Sequence, residues 1–299
     1  MQSYLILFNP HAGNGHGEEN ALTIQNILPD EKLTFRDMTG VENYREFFEA
    51  LPQDTSVVLC GGDGTLNRFL NETADLSLQD NLFYYPCGSG NDFQRDVADR
   101  EGSGLIRLKR YMAKLPTVSV NGKTYRFLNG IGYGIDGYCC QVGDALREKT
   151  EKKVNYTSIA IKGLLFHYKP TRAVVTVDGQ PHTYEKVWLA PTMNGRYYGG
   201  GMMPTPDQDR LNPEGTVSLM VMYGAGKLKT LAVFPSIFKG EHVRHGEMVE
   251  VLTGHNIRVE FDRPTPLQID GETILDVLAY EVIGSKKHPA PAQEAFARA

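Results

Sequence analysis

Short apolar runs alternate with helical periods through the first third of the chain. Residues 4–8 form the first such run and predict a strand; the glycine-rich residues 9–17 predict a loop, and residues 20–28 a helix. Residues 33–36, 57–60 and 82–85 repeat the short apolar signature, with apolar positions at helical spacing between them around 44–50 and 66–72. A run bounded by turn residues and followed by a 3.6-residue period marks a βα unit, and its repetition predicts a parallel, doubly wound sheet.

From about Thr117 the period shortens to two. Residues 118–120 and 125–128 flank Asn121-Gly122, and residues 174–177 meet 182–184 across Asp178-Gly179. Both read as hairpins, because Asn-Gly and Asp-Gly supply the left-handed residues that a two-residue turn needs. Strand patterns at 187–190, 217–222, 257–261 and 275–282 extend an antiparallel region. The fold class expected is thus α/β plus β, with an α/β domain over residues 1–116 and a β-rich domain from 117 to 275. The tail over 285–299, with Lys286-Lys287-His288-Pro289, carries no apolar period and is expected to be mobile.

Composition narrows the class of function. The 299 residues suit two domains better than one, and 41% hydrophobic with 22% charged residues is a globular balance. A formal net charge of -5 argues against nucleic acid as a partner. The first ten residues hold no basic n-region and an apolar run too short for a signal peptide, and no later run approaches a membrane span. Cys60, Cys87, Cys139 and Cys140 fit neither a disulfide framework nor a zinc spacing, so a reducing cytoplasm is the expected location.

The candidate chemistry lies in loops that follow strands. Cys60-Gly61-Gly62-Asp63-Gly64-Thr65-Leu66 runs from an apolar strand through a turn without side-chain bulk into a helix. Such a turn brings N–H groups and the positive end of a helix dipole to one place, which suits a phosphate. Asp63 would repel a bare phosphate, so it fits better with a divalent cation between carboxylate and phosphate. Asn9 opens the loop after the first strand, and Pro86-Cys87-Gly88-Ser89-Gly90-Asn91-Asp92 follows a third strand with another glycine turn, a hydroxyl and a carboxylate. Neither a dinucleotide fingerprint nor a Walker A loop is present: Glu18 stands where the third-spaced glycine is required, and Thr117 lies five residues before Gly122-Lys123-Thr124. Asp270-Gly271-Glu272 reads equally as a hairpin turn or as a source of a general base and a metal ligand.

Taken in order, Asn9-Pro10, Gly61-Gly62-Asp63-Gly64-Thr65, Pro86 to Asp92, Gly199-Gly200-Gly201-Met202 and Asp270-Gly271-Glu272 resemble the diacylglycerol kinase catalytic-domain family, which includes bacterial lipid kinases and the sphingosine and ceramide kinases. The resemblance spans about residues 4–283. It implies an ATP- and Mg²⁺-dependent kinase that transfers phosphate to a lipid hydroxyl in phospholipid biosynthesis, with the active site in the cleft between the domains. It further implies that residues 276–284 return to the first domain. By position, Gly61, Gly62, Gly64, Thr65 and Gly88 would cradle ATP phosphates with Asn9 and Ser89 assisting. Asp63, Asp92 and Glu272 would organise Mg²⁺, Asp270 would be the general base, and Asp136 would contact the lipid head group.

The chain departs from the family pattern at Ser89, where threonine is common, and at Ser119 and Glu214, where the well-understood bacterial branch has aspartates of a second Mg²⁺ network. A lipid substrate also needs access to a bilayer. Tyr156, Ile159, Ala160, Gly163 and Leu164 recur at helical spacing within the most basic region, with Arg147, Lys149, Lys152, Lys153, Lys162, Lys169 and Arg172. That segment reads either as a peripheral membrane contact or as a helix packed on the β domain. A homodimer stays open. So do two other functions: an NAD kinase, which shares the Gly-Gly-Asp-Gly-Thr turn, and a non-enzymatic nucleotide-binding regulator.

Overall fold

The computed structural model describes residues 2–52, 54–77, 80–88, 90–101, 104–147, 159 and 162–285. The first sheet holds β1 (Ser3–Phe8), β2 (Lys32–Asp37), β3 (Ser56–Gly61), β4 (Leu82–Pro86) and β5 (Ile106–Arg107) in the order β2-β1-β3-β4-β5. The first four run parallel and β5 pairs antiparallel to β4. Alternate strand residues feed two cores: Leu5, Leu7, Val57 and Leu59 pack on one face, and Ile6, Phe8, Val58 and Cys60 on the other. A strand covered on both faces has no polar side to show, which is why all six residues of β3 are buried.

Six helices follow these strands: α1 (Ala12–Gly15), α2 (Gly17–Leu22), α3 (Tyr44–Glu49), α4 (Asp63–Glu72), α5 (Asp92–Glu101) and α6 (Lys109–Met112). The helix expected over 20–28 begins earlier, with Glu18 and Glu19 in its first turn where they complement the dipole, and passes into a 3₁₀ turn at Thr23–Asn26. The chain steps from β1 outward to β2 on one side and to β3 on the other. That reversal opens a crevice at the carboxyl ends of β1 and β3, where ligands of open α/β sheets bind.

The second sheet is a ten-stranded antiparallel one. It comprises β6 (Thr117–Val120), β7 (Lys123–Arg126), β8 (Gly130–Tyr133), β9 (Thr171–Val177), β10 (Gln180–Val187), β11 (Thr192–Met193), β12 (Val217–Met222), β13 (Val249–Gly254), β14 (Asn256–Ile269) and β15 (Glu272–Ile283). The hairpins at Asn121-Gly122 and Asp178-Gly179 form, with all four residues in the left-handed region. Residues 187–190 do not make a full strand; Val187 ends β10 and Leu189 makes only single bridges to Gly134 and Met222.

Residues 276–284 depart from expectation. They form the greater part of β15 and pair with β14 and β6 inside the second sheet, so they do not return to the first. The cause is the apolar set Val277, Tyr280 and Val282, which a register shift in the β14–β15 pairing brings into one core, buried with Val118, Val120 and Ile257 in the β domain. Helix α7 (Ile135–Arg147) packs on β14. Among the described residues no helix is long and apolar enough to cross a membrane. The tail expected to be mobile lies outside the described residues apart from Ser285.

Candidate active site

The loops after β1, β3 and β4 meet at the crevice, and glycine makes the meeting possible. A Cβ on Gly88 would lie 2.4 Å from the Gly62 Cα, and one on Gly62 would lie 3.1 Å from the Gly88 Cα, so the two turns touch backbone to backbone. Thr65 folds over Gly61, whose Cβ would fall 2.5 Å from the Thr65 Cβ. The Thr65 hydroxyl accepts from the Asn9 Nδ2 at 3.2 Å, tying the first loop to the second. Gly62 is the extended N-cap of α4 and provides no side-chain cap, while Gly64 faces open space. The first N–H groups of α4 are therefore not capped by a side chain of that residue at a place with room for an anion. Ser89 lies outside the described residues.

Asp63 turns to the start of α5. Its Oδ2 accepts from the Asp92 N–H at 3.0 Å, and its Oδ1 from the Phe93 N–H at 2.9 Å and the Asn129 Nδ2 at 3.1 Å. Asp92 is only 4% exposed. One of its oxygens, Oδ2, accepts from the Gly200 N–H at 2.7 Å; the other, Oδ1, is buried without a partner among the described residues. Burial and then the charge of Asp63 push the Asp92 carboxyl up to about 6, against the pull of the Gly200 and Gly201 N–H groups and Arg95. Two carboxylates in a dry place, one with an orphaned oxygen, are an arrangement that a divalent cation would relieve.

Asp270 stands elsewhere. It sits in the left-handed region at φ 47° between β14 and β15, buried, and both its oxygens are taken. Oδ1 accepts from the N–H groups of Asn129 at 2.8 Å and Gly130 at 2.9 Å; Oδ2 accepts from the Leu128 N–H at 2.5 Å and the Asn67 Nδ2 at 2.6 Å. Four donors fill the four acceptor positions of a carboxylate, which leaves no lone pair for a substrate proton. This geometry departs from the general-base expectation: Asp270 pins α4 and the segment before β8 to the β domain. Glu272 is exposed at the start of β15, and among the described residues no three His, Cys, Asp or Glu side chains gather closely enough to hold one metal. The structure thus brings Asp63 and Asp92 together and leaves Glu272 apart, because β15 carries it past the turn to the solvent face.

Asp136 is buried at the start of α7, where it accepts from the Tyr198 hydroxyl; burial pushes its carboxyl up to about 8. Ser119 pairs its hydroxyl with that of Thr124 at 2.9 Å across the β6–β7 hairpin. Of the segment expected to be amphipathic, Ile159 is buried against Ile135 and Trp188, whereas Tyr156, Ala160, Lys149, Lys152 and Lys153 lie outside the described residues.

Two family models match. Residues 3–115 match the diacylglycerol kinase catalytic domain, and residues 129–282 match the YegS C-terminal NAD kinase beta sandwich-like domain. The chain belongs to the diacylglycerol kinase catalytic-domain family. Among its relatives, a Bacillus subtilis protein named "Putative lipid kinase YtlR" is 24% identical over 91% of this chain and 94% of its own. A Mycobacterium tuberculosis protein named diacylglycerol kinase is 26% identical over 70% of this chain and 67% of its own. A crystal structure titled as a putative diacylglycerol kinase from Bacillus anthracis str. Sterne shares the fold, with a TM-score of 0.63, 20% identity and 97% coverage of both chains.

Within this family frame, sequence reasoning passed over the residues that assemble the site. Asn129 donates to Asp63 and accepts from the Arg210 Nη2 at 3.0 Å. Arg210 is paired with Asp96 on α5, stacks its guanidinium 4.8 Å from the Phe93 ring centre and donates to the Leu128 carbonyl at 3.2 Å. Arg196 bonds the other Asp96 oxygen at 2.8 Å. Burial alone would raise the Asp96 carboxyl, but Arg210 and then Arg196 hold it below the usual carboxylate range. The available signal was Asn129-Gly130 between two apolar stretches, which reads as an ordinary turn.

Proposed function

We propose that the chain is an ATP- and Mg²⁺-dependent lipid kinase that transfers the γ-phosphate to a hydroxyl of a lipid such as diacylglycerol. The observation that carries this reading is the buried Asp92 Oδ1 beside Asp63, without a partner among the described residues and set against the paired glycine turns. Asp63 and Asp92 would hold Mg²⁺, which when bound neutralises phosphate oxygens and polarises the bond to the leaving group. Gly61, Gly62, Gly64, Thr65 and Gly88 would take the ATP phosphates, with Asn9 holding Thr65 in place and Ser89 assisting. Asp270 acts here as a positioning residue: by fixing residues 128–130 it sets Asn129, and through Asn129 the carboxylate of Asp63. Asp136 with Tyr198 would meet the lipid head group.

A lipid substrate calls for peripheral contact with a bilayer from the cytoplasmic side. Phe166 is 73% exposed and Leu228 79% exposed, on the helical turn Gly163–His167 and the helix Lys227–Val233, which pack against each other. Lys162 and Lys169 flank them and are exposed, which suits an anionic surface.

The test is transfer of labelled phosphate from ATP to a mixed lipid extract, with NAD as a parallel acceptor, with and without Mg²⁺. Label entering the lipid phase only with Mg²⁺ is the expected result. Label entering NAD would favour the NAD kinase reading, and no transfer to either would favour a nucleotide-binding regulator.

A further inference from the structure

Arg95 stands on α5 three residues after Asp92, so its side chain returns over the end of the helix that carries the candidate site. Its Nη1 lies against the loop Gly199-Gly200-Gly201: a Cβ on Gly201 would come within 2.1 Å of it. The loop turns through φ values of 59°, 84° and 110°, and Gly200 gives its N–H to Asp92. One stretch of glycine backbone thus has the Asp92 carboxylate on one residue and a guanidinium on the next.

The neighbouring arginines are spent. Arg100 bonds both oxygens of Asp209, and Arg196 and Arg210 share Asp96. Arg95 is exposed and makes no side-chain hydrogen bond or ion pair with another described residue, yet it stands close enough for its charge to act on Asp92. A site built on two carboxylates repels a polyphosphate unless a cation faces it, and a guanidinium fork matches phosphate oxygens in pairs. We propose that Arg95 grips the outer phosphates of a nucleoside triphosphate across the Gly199-Gly200-Gly201 loop. The inference rests on the reading that this cleft takes a nucleotide.

The test is calorimetric titration of the whole chain with ATP and with AMP, which lacks the outer phosphates. Arg95→Gln should weaken ATP binding by about tenfold to a hundredfold, the scale of hydrogen bonds to a charged group, and change AMP affinity by less than about twofold. Arg95→Lys, which keeps the charge without the fork, should recover part of the loss. Wild-type ATP affinity in Arg95→Gln would overturn the assignment and leave the nucleotide reading intact. Equal losses for ATP and AMP would also overturn it, since they would mean that Arg95 only shapes the loop. Failure of the unaltered protein to bind ATP would remove both the nucleotide reading and the proposal.

Discussion

The Asn129 side-chain amide donates to the Asp63 Oδ1 at 3.1 Å while its oxygen accepts from Arg210 at 3.0 Å, so the segment leading into the β domain orients a carboxylate of the α/β domain. Asp63 in turn accepts the N–H groups of Asp92 and Phe93, a capping role at the start of α5. Asp63→Ala should therefore lower the unfolding free energy by about 1–2 kcal/mol, the usual cost of a lost cap, and abolish Mg²⁺-dependent turnover. Urea unfolding and a phosphate-transfer assay on the same preparation check the two effects separately. Normal turnover would remove Asp63 from the metal, and unchanged stability would remove it from the cap.

Asp92 makes a prediction about pH. Its carboxyl is pushed up to about 6 from an ordinary value of 3.8, so between those values the folded chain binds more protons than the unfolded one. The proton's stabilising contribution is complete below about pH 4 and is lost as pH rises through about 6. The displacement corresponds to roughly 1–3 kcal/mol. Asp92→Asn should flatten this part of the stability profile and be the more stable protein at pH 8. Mg²⁺ should raise the Tm of the unaltered protein at that pH and leave the variant where it was; an equal response in both would place the cation elsewhere.

The ion pair between Asp96 and Arg210 joins α5 to the loop before β12, and both side chains are buried. Removing Arg210 leaves the buried Asp96 Oδ2 without its partner while Arg196 still holds Oδ1, so the loss falls toward the lower end of that of a broken buried pair, about 3 kcal/mol. Arg210→Met should show that loss in urea unfolding. The double variant Arg210→Met with Asp96→Asn should regain much of it, whereas additive losses would show that the pair itself does not hold the joint.

The parallel sheet and the glycine turns were legible in the sequence because each rests on neighbours in the chain: an apolar run, then residues that permit a tight turn. The fate of residues 276–284 was not. Their apolar residues Val277, Tyr280 and Val282 suit a half-buried strand but do not name the sheet, and only pairing with Val118 and its neighbours decides it. The site divided along the same line. Asp63 and Asp92 follow strands that pair with each other, so their meeting is a consequence of local order. Asn129 and Arg210 reach the site across long separations, while Asp96 and Asn67, which stand one helical turn after Asp92 and Asp63, bond Arg210 and Asp270 across 114 and 203 residues, and nothing in their own surroundings marks them. Asp270 sits in a segment whose spacing suits a turn and a base equally well, and its four donors come from parts of the chain that precede it by 140 residues or more.

Membrane contact has its own test. Phe166 and Leu228 are exposed apolar side chains on adjoining elements, and both can be changed without touching a core. Phe166→Ser with Leu228→Ser should reduce sedimentation with anionic phospholipid vesicles by about tenfold, in line with the apolar area withdrawn, and leave Tm unaltered. Unchanged sedimentation would mean that the bilayer meets another face.

Asp270→Asn separates a positioning role from a proton-accepting one. Asparagine keeps the shape of aspartate but replaces one acceptor oxygen by an NH₂, which would point at the N–H groups of Asn129 and Gly130 or at those of Leu128 and Asn67. Either orientation strands buried donors, at a cost of about 1–3 kcal/mol each. The variant should thus unfold at markedly lower urea concentration, and its Mg²⁺ response should weaken along with its turnover, because Asn129 would no longer be held against Asp63. A general base behaves differently. Its loss would leave stability and Mg²⁺ binding nearly unchanged while kcat fell by about a hundredfold to ten-thousandfold. If urea unfolding of Asp270→Asn overlays that of the unaltered protein and kcat alone collapses, Asp270 is the base and its four donors serve only to aim it.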